Sequence, residues 1–146
     1  MAWQAIGTPH LRVGFLLRLA EASGTVGRVA EGLTALAEAL TVGITGGREA
    51  EWYRIKGDLL GQTGSRPEEA EACFQQALTI ARRQQAKSLE LRAALSLARL
   101  WQHQGKPAAA YAVLAPVYGW FTEGFETADL QEARGLLEEL AGDHTR

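Results

Sequence analysis

In residues 49–85 the apolar positions recur with the period of a helix and do not alternate as a strand's would. Trp52, Ile55 and Leu59, joined by Tyr53 and Leu60, mark a first helix. Ala70, Cys73, Phe74, Ala77, Ile80 and Ala81 mark one face of a second. Between them lies GQTGSRPEE, in which Ser65 stands three residues before Glu68 at capping-box spacing, and Pro67 occupies the first helical turn. The same reading extends along the chain. Thr8 caps a helix over about residues 9–22, opened by Pro9 and stopped by Gly24. A second covers about 26–42 and ends in the loop GITGG. Further helices fall at 87–104 and 107–118, and an aromatic-rich connector at 119–126 leads to a last helix capped by Thr127 and running to about 140. The expectation is all-α, with seven helices.

These helices group into look-alike hairpins at about 9–42, 49–85 and 87–118, closed by a helix at about 127–141, all within one domain spanning 1–146. The turn glycines Gly24, Gly64 and Gly105 are 40 and 41 residues apart. The small–small–large–small set Gly57, Ala70, Phe74, Ala77 recurs as Gly32, Leu36, Ala39 with Leu17 before them, and as Ala98, Ala110, Leu114, Val117. Hairpins that cannot bury their faces alone stack in tandem, which predicts a right-handed α-solenoid in place of a closed bundle. The last helix puts Leu130, Ala133, Leu137 and Leu140 on one stripe, as a terminal cover requires. Residues 1–8, with Trp3 and Ile6, read as the tail of something cut short. The first hairpin, apolar along Val13, Phe15, Leu16, Leu17 and Leu19, shows no cover, which suggests a fragment or an oligomer. PAAAYAVLAPVY carries no charge and is expected to be buried on nearly every side, bent or ended at Pro116, with Tyr118, Trp120, Phe121 and Phe125 packed as core beyond it.

Composition narrows the classes. A chain of 146 residues with net charge −2 offers no strongly basic surface for nucleic acid. One cysteine rules out an internal disulfide and a cysteine-cluster zinc site. The start MAWQAIGTPH lacks the basic and apolar runs of a signal peptide. The longest charge-free stretch, 107–122, is too short to span a membrane. A cytoplasmic protein is the expectation.

Gly57, Ala70, Phe74 and Ala77 fall at the offsets of the tetratricopeptide signature, in which small side chains let paired helices approach beside an aromatic. The segments WYRIKGDLL, AEACFQQALTIARRQQAKSLELRAALSLARLWQ and LAPVYGWFTEGFETADLQEARGLLEEL carry the resemblance further, over about 49–140. The chain resembles the C-terminal tetratricopeptide region of large bacterial proteins that join a nucleotide-cyclase domain to a signalling ATPase domain. That resemblance implies protein–protein contact and regulation. Neither cyclase nor ATPase motifs are present, so neither activity carries over. The chain departs from the usual repeat at Lys56, where a Leu is usual, and in a period above the usual 34 residues, which predicts a lengthened second helix in each hairpin.

Candidate chemistry is sparse. His10, His103 and His144 never stand at metal-ligand spacing. Cys73 beside Phe74 reads as a buried inert thiol. Glu68, Glu69 and Glu71 suit a helix start, while Arg82, Arg83 and Lys87 suit a helix end. No catalytic residue, metal or cofactor is expected. In stacked hairpins the first helices line a groove, which selects Arg18, Glu21, Arg54, Asp58, Gln62, Arg92, Arg99, Gln102 and His103. Arg54, Arg92 and Arg99 there can grip an acidic peptide or a C-terminal carboxylate, or else pair locally, as Arg54 does with Asp58 at i, i+4. The expected function is a non-catalytic scaffold binding a protein or peptide partner, with no nucleic acid and no membrane. Homodimerisation through the apolar first hairpin and small-molecule sensing are the alternatives.

Overall fold

A computed structural model describes residues 9–44 and 47–144, the side chains of 9, 10, 143 and 144 excepted. Thr8, Trp3, Ile6, part of GITGG and the side chains of His10 and His144 therefore lie outside the described residues. The described chain is all-α, with seven helices and no strand: α1 (Pro9–Thr25), α2 (Val29–Val42), α3 (Glu49–Thr63), α4 (Pro67–Arg83), α5 (Lys87–His103), α6 (Pro107–Trp120) and α7 (Ala128–His144). It divides into two compact units, Met1–Ala77 and Leu78–Arg146, with the boundary inside α4. Helices adjacent in sequence pack on each other in both units: α1 with α2 and α2 with α3 in the first, α5 with α6 and α6 with α7 in the second.

The turns explain why the helices double back. After α1, α4 and α5 the chain closes with the same six-to-one hydrogen bond, Arg28 N to Ser23 O (2.8 Å), Ala86 N to Ala81 O (2.9 Å) and Lys106 N to Trp101 O (2.8 Å). This closure places the residue before the donor in the left-handed region. Gly27 and Gly105 take it at φ 80° and 76°, and Gln85, with a side chain, at φ 55°. Gly64 (φ 68°) ends α3 with a shorter closure onto Gly61 O. Gly24, expected at a turn, lies instead inside α1, where a Cβ would come within 3.0 Å of Leu59 Cδ2. It is a contact glycine, and the turn belongs to Gly27. The left-handed glycines of the three hairpins are thus 37 and 41 residues apart.

In the first unit Val13, Leu16, Leu17 and Ala20 of α1 meet Ala35, Leu36 and Ala39 of α2 and Trp52, Ile55 and Leu59 of α3. Trp52 donates its indole N–H to Leu36 O at 3.0 Å, so the largest ring of this core is buried without an orphaned donor. α3 meets α4 where Gly57 faces Phe74: a Cβ on Gly57 would lie 2.5 Å from the ring. The small–small–large–small sets are buried in all three hairpins. In the second unit Leu91, Leu95 and Ala98 are buried, as are Ala110, Leu114 and Val117 on α6 and Leu130, Ala133, Leu136 and Leu140 on α7. Leu136 takes the buried place expected of Leu137, which is half-buried.

Other expectations change. Helix α4 begins at Pro67, and the first carbonyl acceptor is that of Arg66, so Ser65 falls one residue short of a cap and its hydroxyl instead meets that of Thr63 at 3.1 Å. Of the second helices only α4, with 17 residues, outgrows its partner; α2 and α6 have 14 each, and the extra length lies in the longer connectors. Pro116 does not end α6, which runs on to Trp120. The carbonyl it leaves without a donor belongs to Ala112, on the exposed side, where water can replace the missing N–H. That side is open: Tyr111, Ala112, Pro116 and Trp120 are exposed, so α6 is buried along one face only. Beyond it Tyr118 meets Phe125 (5.9 Å) and Trp120 meets Phe121 edge-on (5.2 Å). Trp120 at 57% and Phe125 at 43% exposure make this a surface cluster, not core.

Gly57→Leu is expected to destabilise the chain by roughly 1–3 kcal/mol or more, since the Phe74 ring has no room to yield. Gly61→Ala, a helical position with nothing within 4 Å of a new Cβ, is expected to stabilise it by about 0.4–1 kcal/mol. Urea unfolding followed by circular dichroism measures both, and equal midpoints for the two variants would contradict the assignment of Gly57 as a close-approach site.

Candidate functional site

The nine residues selected for a groove fall into two sets, one in each unit. In the first, Arg54 projects from α3 towards α1 and is itself buried, 7% exposed. Its Nε donates to Glu51 Oε2 (2.6 Å), its Nη1 to Asp58 Oδ2 (3.0 Å) and its Nη2 to Glu21 Oε2 on α1 (2.6 Å). Burial opposes the charge, but the hydrogen bond and attraction of Glu51, then those of Glu21 and Asp58, outweigh it and hold the guanidinium above its ordinary pKa. Three carboxylates thus share one cation. About two turns beyond Arg54, Gln62 donates to Gly24 O at 2.9 Å, again from α3 to α1. Arg18 lies exposed on α1, three residues before Glu21.

The second set repeats the device between α5 and α7. Arg92 Nε meets Asp129 Oδ2 at 2.9 Å, Arg99 meets Glu132, and Gln102 Nε2 meets Glu139 Oε2 at 3.2 Å. The partners in these five rungs are 33 to 38 residues apart in sequence, in both units. His103 ends α5 in an exposed position outside the rungs. Arg54, Arg92 and Arg99, selected as ligand-gripping cations, are therefore already engaged by carboxylates of their own chain. An acidic ligand would have to displace those partners.

One charged group went unnoticed in the sequence. Glu90, 5% exposed, accepts from Arg82 Nε and Lys87 Nζ, both at 3.2 Å. Arg82 thus serves a buried carboxylate as well as the last turn of α4, whereas Lys87, expected at a helix end, opens α5. The only sequence cue was Lys87 three residues ahead of a Glu flanked by Leu89 and Leu91. Lys87 also stands 5.5 Å above the Trp120 ring, just as Lys56 stands 5.2 Å from Trp52. Cys73 is buried, and burial pushes its thiol pKa up, with Lys56 opposing, so the unreactive protonated form prevails at neutral pH. Among the described residues no three His, Cys, Asp or Glu side chains are grouped to hold a metal ion, and no helix is long and apolar enough to cross a membrane.

Two stretches open to solvent are apolar. On α1, Leu11 and Phe15 are each 61% exposed and Leu19 44%, and Val26 continues the row at 69%. On α6 the open face is Tyr111, Ala112, Pro116 and Trp120. The first hairpin expected to be uncovered is thus split: Val13, Leu16 and Leu17 are core, while Phe15 and Leu19 face water.

Arg54→Met is expected to lower the unfolding free energy by about 2–3 kcal/mol, because it strands Glu51 beside two further carboxylates while Glu21 and Asp58 retain water. Adding Glu51→Gln should recover part of the loss. A urea midpoint for Arg54→Met equal to that of the parent would show that the shared guanidinium contributes nothing. No family model matches the chain, and neither does any curated protein or solved structure.

Proposed function

We propose that this chain is a non-catalytic protein–protein interaction module of tetratricopeptide-like helical hairpins, a regulatory part of a larger signalling protein of the kind its sequence resembles. The hairpins stack as a right-handed solenoid in this reading, supported by the left-handed turn residues Gly27, Gly64 and Gly105 and by rungs between residues 33 to 38 apart, from α3 to α1 in one unit and from α5 to the closing helix α7 in the other. The observation that carries the function is α6, a helix without one charged residue whose outer side nonetheless stands in water. Tyr111, Trp120 and Phe125 offer a partner aromatic anchors that lose little conformational freedom on docking. The polar residues first selected for a groove then have the task of aligning the scaffold, with Arg18 and His103 left at its surface.

The test is capture of a protein partner on the immobilised chain, compared with a Tyr111→Ser, Trp120→Ser double variant. The expected result is saturable binding that weakens tenfold or more in the variant, with its helical circular dichroism unchanged, as for the loss of central anchors. Binding equal in both forms, or none to the parent, would sink the proposal.

A further inference from the structure

At 100° per residue, Leu11, Phe15, Leu19, Ala22 and Val26 fall within an arc of about 80° on α1, and every one of them is exposed. Val26 belongs to the row because its N–H still bonds Ala22 O at 3.3 Å. The row reads nearly the same from either end. Laid against its own copy in antiparallel fashion, it sets Leu11 opposite Val26 and Phe15 opposite Ala22, with Arg18 and Leu19 beside the two-fold axis. A large ring then meets the smallest side chain of the row on both sides of the axis, which is the knob-and-hole match a two-fold helix pair needs.

Charge and area agree with that occupant. Arg18 and Glu21 lie on the same flank of α1, and in an antiparallel pair like flanks face each other, so this flank of one copy lies along the same flank of the other. Around Arg54 the carboxylates of Glu21, Glu51 and Asp58 outnumber the guanidinium, and Glu21 is half-exposed. Arg18 of each copy can therefore reach Glu21 of the other, giving two symmetric charge-assisted contacts. The four large side chains leave roughly 400 Å² in water per copy, the size of patch that marks a contact site on a single chain. Two copies bring this to about 800 Å², two thirds of the roughly 1,200 Å² at which specific pairs begin, and the polar border has to supply the remainder.

We infer that the outer face of α1 is a self-association surface that takes a second copy of this chain in an antiparallel, two-fold arrangement, Phe15 seated on Ala22. The inference rests on reading exposed apolar faces as contact surfaces, but it uses α1, whereas partner capture is tested on α6. Sedimentation velocity of the full chain over a concentration series should show a monomer giving way to a species of twice its mass. Phe15→Ala and Ala22→Phe should each weaken dimerisation at least tenfold, the first by emptying the contact and the second by setting ring against ring. Combined, they should restore it, because large and small have only exchanged places. Arg18→Cys, beside the axis, should yield a disulfide-linked dimer on mild oxidation under conditions in which the parent, its Cys73 buried, does not. A chain that stays monomeric at the highest concentration reached, or a double variant no better than its parents together with no cross-link at position 18, would overturn the inference. If the α6 variants still lose a captured partner in that case, the interaction module stands without its dimer.

Discussion

Everything in each unit depends on bringing a third helix alongside a pair that already covers itself. Helices of 14 to 17 residues joined by short turns bury only the sides turned to each other. The next helix must then be aligned in register with the first. In the first unit that alignment is made by one buried guanidinium, Arg54, and by Gln62 reaching a main-chain carbonyl on α1. In the second, Arg92, Arg99 and Gln102 do the same towards α7. Apolar burial supplies most of the stabilisation but is indifferent to sliding. A hydrogen bond of fixed length is not, so the polar rungs set where along its axis each helix stops.

The residues first read as ligand-gripping prove to be the ones that fix this register. Most of them were visible in the sequence because their spacing puts them on the first helices. Their task was not visible, because the acids that engage them come from elsewhere: Glu21 is 33 residues from Arg54, and Asp129 is 37 from Arg92. The apolar positions were easier. Trp52, Ile55, Leu59, Phe74 and Ala77 follow helical period, and all are core. Local turn chemistry was harder by one to three residues. Gly24 and Gly27 differ in nothing but context: the contact with Leu59 claims the first and the positive φ claims the second. Ser65 was read as a cap by spacing, yet Pro67 fixes the start of α4 too late for it. Composition misled at α6. A segment without charge looks like core, but its outer side leaves Tyr111, Ala112, Pro116 and Trp120 in water.

The surface that results divides by chemistry. Arg54, Arg92 and Arg99 are each engaged by carboxylates of their own chain. The outer faces of α1 and α6 present aliphatic and aromatic groups with almost no charge. A scaffold built this way would recognise shape and apolar area more than charge, and its contacts would be little affected by salt. Under the two proposals made above, the α1 face takes a copy of the chain and the α6 face a different protein, so that a single small chain would bridge the two.

The shared closure of the turns at 26–28, 84–86 and 104–106 also decides where this chain can grow. Each is a three-residue clasp whose hydrogen bond fixes the direction in which the next helix leaves. One added residue there would turn that helix by about 100° and move every rung it carries off its mark. The connector at 121–127 carries no such clasp, and its exposed residues Thr122 and Glu123 leave room to absorb insertions. Natural variation in length, or an engineered tag or loop, therefore has its place just ahead of α7 and not between the paired helices.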